Sequence, residues 1–285
     1  MIKDFSAEAI LFPGCRALNK YPGISSSSLE VLKLLGLKVK LPTNILCCGR
    51  PVESTGILKD EQTNALAYFN LTKLMDKPRY LIVVCNGCYS VFSRALSLRE
   101  LKSEYGIDPE CFHVAEVVWL KRHDLAKKAK LNFNKLKVAV QVGCHYLYSP
   151  YRETIKGEEG EDILEDIALA FNAKVVDYEE KRTCCGGPVI KWLGHVTSTI
   201  SHEKAKSFIE SDADLLLTMC PTCLATLDKA QQELMNLGKV ERTIPILHVS
   251  QFVALALGFD SVKTLGFHLQ LSHQELQALH SILNV

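Results

Sequence analysis

ILCCGRPV (residues 45–52) and RTCCGGPV (182–189) are two copies of one motif, and their recurrence decides how this chain is organised. A second pair follows, YLIVVCNGC (80–88) and LLLTMCPTC (215–223), then a third, FHVAEVVWL (112–120) and LHVSQFVAL (247–255). The offset from Cys85 to Cys220 equals that from His113 to His248, 135 residues. A lone cysteine precedes each set: 31 residues separate Cys15 from Cys47, and 39 separate Cys144 from Cys184. Ten of the eleven cysteines obey this duplication, which is the mark of an internal repeat. Cys111 does not, because the corresponding position is Ile246.

Short runs rich in Ile, Leu and Val at 8–12, 80–84, 137–142 and 214–219 read as buried strands. Helical patterns lie between them. In SSSSLEVLKLLG (25–36) the serines are placed to cap and Gly36 to stop. DEQTNALAYFNLTKLM (60–75) and EDILEDIALAFN (161–172) are further helices. Strand–helix alternation repeated in this way predicts an α/β fold of two tandem homologous domains, related by a pseudo-twofold duplication. The lysine-rich stretch LKRHDLAKKAKLNFNKLK (120–137) is the expected connection, dividing the chain into residues 1–130 and 131–285. A charged run of this kind is more often a solvated face than a docking site. The C-terminal stretch from Leu265 to Val285 reads as helical, either covering a surface or meeting a partner.

A chain of 285 residues accommodates two such domains, and 47% hydrophobic residues give each a core. The net charge of +1 creates no field that favours nucleic acid or an anionic membrane. The N-terminus has no apolar stretch of signal-peptide length, and no run suits a membrane span. The reading is a cytoplasmic protein. In a reducing compartment, abundant cysteine points to metal binding or redox chemistry rather than disulfides. The odd count and the adjacent pairs Cys47-Cys48 and Cys184-Cys185, which close only as a strained ring, fit a disulfide framework poorly.

A Cys-x-x-Cys at the end of a strand and the start of a helix puts thiolates where backbone N–H groups and the helix dipole stabilise negative charge. The vicinal pair adds two sulfurs from a second loop and the lone cysteine a fifth from a third. Gly49 and Gly186 follow the pairs, where glycine permits positive φ and close backbone approach, and Pro51 and Pro188 stiffen the exits. Structural zinc takes four ligands in a tetrahedron, so five thiols per half exceed its need. An iron–sulfur cubane on four cysteines also leaves one unused. Spacing thus favours a polynuclear cluster over zinc. A thioredoxin-type dithiol accounts for the Cys-x-x-Cys pairs and ignores six other cysteines.

These motifs, including CNGCY (85–89) and CPTC (220–223), resemble the cysteine-rich (CCG) domain family, and the chain from residue 9 to about 257 resembles the B subunit of heterodisulfide reductases. Relatives in that family include lactate-utilisation and dehydrogenase subunits, many with an added ferredoxin module or with cysteines lost from one domain. This chain has two complete motifs and no ferredoxin run. The resemblance implies two 4Fe-4S clusters of the noncubane kind, each on five cysteines: Cys15, Cys47, Cys48, Cys85 and Cys88 for one, Cys144, Cys184, Cys185, Cys220 and Cys223 for the other. It further implies a disulfide clamped between them, with a ferredoxin-like C subunit and a flavin-containing A subunit as partners. The absence of a G-x-G-x-x-G fingerprint agrees with nucleotide chemistry residing elsewhere.

His145 follows Cys144 where the first half has Arg16, and is the candidate proton donor or tuning residue, equally a partner for a local carbonyl. His113 and His248, in apolar surroundings, read as structural, and Cys111 as a small buried hydrophobe. Asn86-Gly87 against Pro221-Thr222 makes the two pockets inequivalent. Two functions follow from the sequence: an enzyme subunit that reduces or forms a small-molecule disulfide, or an electron-transfer subunit whose clusters never meet substrate.

Overall fold

The apolar runs become strands because both faces of each are covered by helices, the condition that makes an all-parallel sheet read as unbroken Val, Ile and Leu. The computed structural model describes residues 2–74, 78–149, 162–189 and 194–284. The first half runs β1 (Glu8–Phe12), α1 (Gly14–Asn19), α2 (Pro22–Leu34), β2 (Lys38–Lys40), α3 (Arg50–Glu53), α4 (Asp60–Thr72), β3 (Tyr80–Val83), α5 (Asn86–Ser97), α6 (Arg99–Tyr105), β4 (Glu110–His113), α7 (Val114–Leu120) and α8 (Arg122–Ala126). The second runs β5 (Lys137–Gln141), α9 (Cys144–Leu147), α10 (Ile163–Ala170), β6 (Lys174–Val175), α11 (Gly194–Glu210), β7 (Leu215–Thr218), α12 (Pro221–Asn236), β8 (Ile246–His248), α13 (Val249–Ala256) and α14 (His273–Leu283). Met75, Glu161 and Val285, ends of expected segments, lie outside the described residues.

Each half holds one four-stranded parallel sheet, ordered β2-β1-β3-β4 and β6-β5-β7-β8. The expected α/β duplication is therefore present strand for strand. Helix contacts between the halves are exchanged by the same relation. α2 packs on α13 and α10 on α7, while α5 packs on α9 and α1 on α12. Among the described residues, no helix is long and apolar enough to cross a membrane.

One helix starts earlier than its serines suggested. Pro22 fixes φ for the first turn of α2, and the serines lie inside the helix. Ser25, Ser27 and Ser28 are buried. Ser28 donates to the Ile24 carbonyl at 2.7 Å, and Ser26 and Ser27 both reach the Thr264 carbonyl, at 2.5 and 3.2 Å. Small side chains are needed there because residues 264–266 lie across the helix. A Cβ on Gly23 would sit 1.9 Å from the Leu265 carbonyl oxygen. The C-terminal stretch thus covers a surface. It crosses to the first half at Leu265 and returns through α14, whose buried Glu275 accepts from Gln231 at 3.1 Å.

Candidate functional site

The order β2-β1-β3-β4 reverses direction between β1 and β3, and the loops leaving such a switch point diverge to form a crevice at the carboxyl ends of the strands. Cys15 lies in α1, directly after β1, and Cys85 is the N-cap of α5, directly after β3. Cys144 and Cys220 occupy the same places after β5 and β7. Cys85 (φ −130°, ψ 129°) and Cys220 (φ −132°, ψ 118°) share one backbone conformation, so each Cys-x-x-Cys enters its helix in the same way. Gly49 (φ +90°) and Gly186 (φ +80°) turn the vicinal pairs in the left-handed region. Gly14 and Gly143, before the lone cysteines, also have positive φ, and a Cβ on either would lie 3.1 Å from the sulfur of Cys88 or Cys223 respectively. The lone-cysteine loops therefore press directly on the second cysteine of each Cys-x-x-Cys.

All ten repeated cysteines come together in a single line. Cys15 and Cys47 sulfurs are 3.8 Å apart, Cys48 and Cys88 3.4 Å, and Cys144 and Cys184 3.8 Å. The Cys85 thiol is close enough to Cys88 and, across the halves, to Cys220 for each to act on its ionisation, as Cys220 and Cys185 act on Cys223. The order from end to end is 15-47-48-88-85 and then 220-223-185-184-144, the same sequence of roles read forwards and backwards. Bonds from neighbouring thiols hold some of these groups low: Cys48 by Cys47 and Cys88, Cys220 by Cys223 and Cys85, and Cys184, down to about 2, by Cys144. Among the described residues, no three His, Cys, Asp or Glu side chains converge on a single ion position. Ten soft donors in two sets of five fit polynuclear iron–sulfur ligation better than one tetrahedral ion per half.

The two sets are not equally open. A cavity of about 350 Å³ is lined by Cys15, Cys48, Cys85 and Cys88 of the first half but only Cys220 of the second. Arg16, Arg50 and His145 enter its wall, with Pro51, Val52, Ile57 and Pro188 forming apolar sides. Arg50 comes from the vicinal-pair motif, where the second copy has Gly187. It pairs with Glu53, itself held by Arg94 at 2.6 Å, and donates through Nε to His145 Nε2 at 3.0 Å. A guanidinium can only donate, so Nε2 is the acceptor and the His145 proton sits on Nδ1, 3.9 Å from the Cys144 sulfur. Burial, and then the neighbouring Arg50 charge, push His145 below its ordinary value and keep it neutral.

His113 and His248 are structural, as their sequence context suggested. Each caps the helix that follows, accepting from Ala115 N at 3.0 Å and Ser250 N at 3.3 Å. His248 Nε2 also reaches the Val84 carbonyl of the other half at 3.0 Å. Cys111 stands on β4 opposite Leu81, packed against the core, where burial raises its thiol. Cysteine spacing alone marks neither Arg50 nor Asn86, although Asn86 stands out by its mismatch with Pro221. The mismatch of Arg50 with Gly187 inside an otherwise repeated motif was the available signal. Asn86, which donates to the Val142 carbonyl across the halves at 2.6 Å, had only its lack of a duplicate.

The family model for the CCG cysteine-rich domain matches residues 9–93 and 138–228. The B subunit of the ferredoxin/F(420)H(2)-dependent CoB-CoM heterodisulfide reductase of Methanosarcina acetivorans is 31% identical over 277 residues, 89% of this chain and 90% of that one. A heterodisulfide reductase B-subunit-like protein of Archaeoglobus profundus is 29% identical over 90% of this chain and 92% of its own. The 8-methylmenaquinol:fumarate reductase membrane anchor subunit of Wolinella succinogenes is 28% identical over 94% and 96%. Among solved structures, a hypothetical protein from Helicobacter pylori shares the fold, with a TM-score of 0.69 at 15% identity, over 92% of this chain and 51% of that chain. With two matched copies and its cysteines gathered at one crevice, the chain belongs to the cysteine-rich CCG domain family and is similar to the B subunit of heterodisulfide reductase.

Proposed function

We propose that this chain is the iron–sulfur subunit of a multisubunit oxidoreductase and that it reduces or forms a small-molecule disulfide. In this reading Cys15, Cys47, Cys48, Cys85 and Cys88 hold one noncubane 4Fe-4S cluster, and Cys144, Cys184, Cys185, Cys220 and Cys223 hold the other. The two domains divide at residues 130 and 131, and ferredoxin-like and flavin-containing subunits supply electrons. The observation that supports the reading is the mirrored line of ten thiols, with a cavity opening along its first half as far as Cys220. A bound cluster of this kind supplies single electrons and a thiophilic metal centre. The chain's own residues do the rest. Val52, Ile57 and the two prolines give an alkyl chain a dry wall, Arg16 offers a charge at the rim, and the Arg50–His145 pair fixes the Nδ1 proton towards Cys144.

A second reading, an electron-transfer subunit that never meets substrate, is favoured by the similarity to the Wolinella fumarate reductase subunit. Two measurements on anaerobically prepared protein separate the alternatives. Iron and acid-labile sulfide are expected at about eight each per chain, and stoichiometric zinc without sulfide overturns both readings. A thiol or disulfide that perturbs the iron spectra supports catalysis. A panel of physiological thiols and disulfides that leaves them unchanged identifies an electron conduit.

A further inference from the structure

Lys204, on α11, is wholly buried. Its ammonium donates to the Glu180 carbonyl, to the Lys181 and Thr183 carbonyls at 3.3 and 2.9 Å, and to the Thr183 hydroxyl at 3.3 Å. It also lies 5.5 Å from the centre of the Tyr178 ring. Those carbonyls belong to the strand of chain that delivers Cys184 and Cys185. Among the described residues, no carboxylate lies within ion-pair distance of it. Against that burial, Cys223, Cys185, the Glu180 carboxylate and Cys184, in that order, favour its charged form.

The first half does the same task without a charge. Asn70, buried on α4, accepts from Leu46 N at 2.7 Å and donates to the Cys47 carbonyl at 3.4 Å, so a neutral amide holds the loop that delivers Cys47 and Cys48. Of the two cations beside that site, Arg50 is paired with Glu53, and Arg16 is exposed, where solvent screens it. A clamp needs only donors, and the amide shows that it needs no charge. Burying an ammonium is costly unless something compensates it, and in a low-dielectric interior its field on nearby sulfur ligands is strong.

We propose that Lys204 is a positioning residue that holds the Cys184–Cys185 loop and, as a buried cation, makes the group bound by the second half easier to reduce than that bound by the first. This rests on the iron–sulfur reading above. Reduction adds negative charge to the bound group, and a fixed cation beside its ligands favours the reduced form. Burial lowers the lysine to about 8, so it remains protonated at neutral pH. Electrons arriving from a partner would then collect on the buried second site, with the open cavity facing the first.

The test is a redox titration of the loaded protein, followed by spectra. Cys48→Ser and Cys185→Ser, each removing a ligand from one half, assign the two signals. In the unmodified protein the second half's signal is expected to reduce first. Lys204→Gln keeps donors for the carbonyls and removes the charge. It is expected to lower the reduced-to-oxidised ratio of that signal about tenfold at fixed ambient potential, or about 59 mV for one electron, leaving the other signal in place. Lys204→Arg is expected to restore it, and Lys206→Gln, on the exposed side of the same helix, to change neither. Absence of iron from the unmodified protein sinks the iron–sulfur reading itself. Iron present with the first half reducing first, or with both signals unmoved in a fully loaded Lys204→Gln, overturns the role of Lys204 alone. If Lys204→Gln fails to load, the order of reduction in the unmodified protein still decides.

Discussion

In the first half, the space left by Gly87 inside the Cys-x-x-Cys is taken by Arg50, whose Cγ lies 3.1 Å from where a Cβ would be. In the second half, the space left by Gly187 in the vicinal-pair motif is taken by Thr222, 2.7 Å from the corresponding point. The bulky residue has changed loops. Duplication fixed the backbone and the sulfurs, while each half filled its remaining space from a different loop. The first arrangement sends a guanidinium across to His145, and both arrangements line the cavity, Arg50 and Gly87 from one half, Gly187 and Thr222 from the other.

The largest expected difference between the halves lies in their helix caps. Glu116 and Gln251 occupy equivalent positions, each accepting from the backbone N–H of its histidine, His113 at 2.7 Å and His248 at 3.1 Å. Only Glu116 also accepts from two tyrosines, Tyr89 at 3.1 Å and Tyr146 of the other half at 3.0 Å. Glu116→Ala removes a buried charge that three donors share, and is expected to cost about 3–5 kcal/mol. Gln251→Ala, a neutral loss, is expected to cost about 1–2 kcal/mol. Urea unfolding under anaerobic conditions measures both, and equal losses would mean the charge adds nothing.

Acid should act on both halves through their histidines. Burial lowers His113 to about 3 and His248 to about 4, so both stay neutral in the folded chain, while the unfolded chain takes up protons near 6.5. The unfolded state then binds more protons between those values. Stability is complete above about pH 6.5 and falls as the pH drops towards 4, on the order of 3 kcal/mol for each histidine. The rings are 6.4 Å apart, so the second protonation is harder than the first. Unfolding midpoints from pH 7.5 to 4.5 should fall, and less in His248→Gln. An unchanged slope in that variant would place the acid sensitivity elsewhere.

The sulfurs and strands were legible in the sequence because their spacing is local and repeated. How the halves meet is carried by the family resemblance and not by the spacing, since Cys85 approaches Cys220 only through helix packing that no motif records. Lys204 was equally hidden: it sits in a polar helix, twenty residues from the cysteines whose loop it holds, and looks like any surface lysine. SSSSLE has the composition of a helix start, yet the serines of α2 lie within the helix. Their burial depends on Leu265, far along the chain. Gly23→Ala tests that contact. A methyl 1.9 Å from a carbonyl must push the C-terminal crossing off α2, at about 1–3 kcal/mol. Faster proteolysis after residue 257 is the expected sign, and a variant as resistant as the parent would show the crossing to be loosely held.

The smallest expected effect addresses the exchange of bulk between loops most directly. Gly87 stands in the first turn of α5, where alanine is the better helix former by up to about 1 kcal/mol. Its Cβ, however, would meet Arg50 Cγ at 3.1 Å, closer than ordinary contact, and Arg50 is tethered by Glu53 and His145. Gly87→Ala alone should therefore change stability little, gain and crowding offsetting one another. Arg50→Ala removes the obstructing Cγ as well as a paired charge, so on that background the same glycine change should be stabilising. A double-mutant cycle is expected to show coupling of about 0.5–1.5 kcal/mol. At Gly187 the obstruction is tighter, with Thr222 Cγ2 and Thr226 Oγ1 both 2.7 Å away, so Gly187→Ala should destabilise outright, and Thr222→Ser, which deletes that methyl, should recover part of the loss. Additive changes in both cycles, within about 0.5 kcal/mol, would mean that the glycines and their opposing side chains are independent. The difference between the halves would then reside in the charges of Arg50 and Lys204 rather than in which loop fills the space.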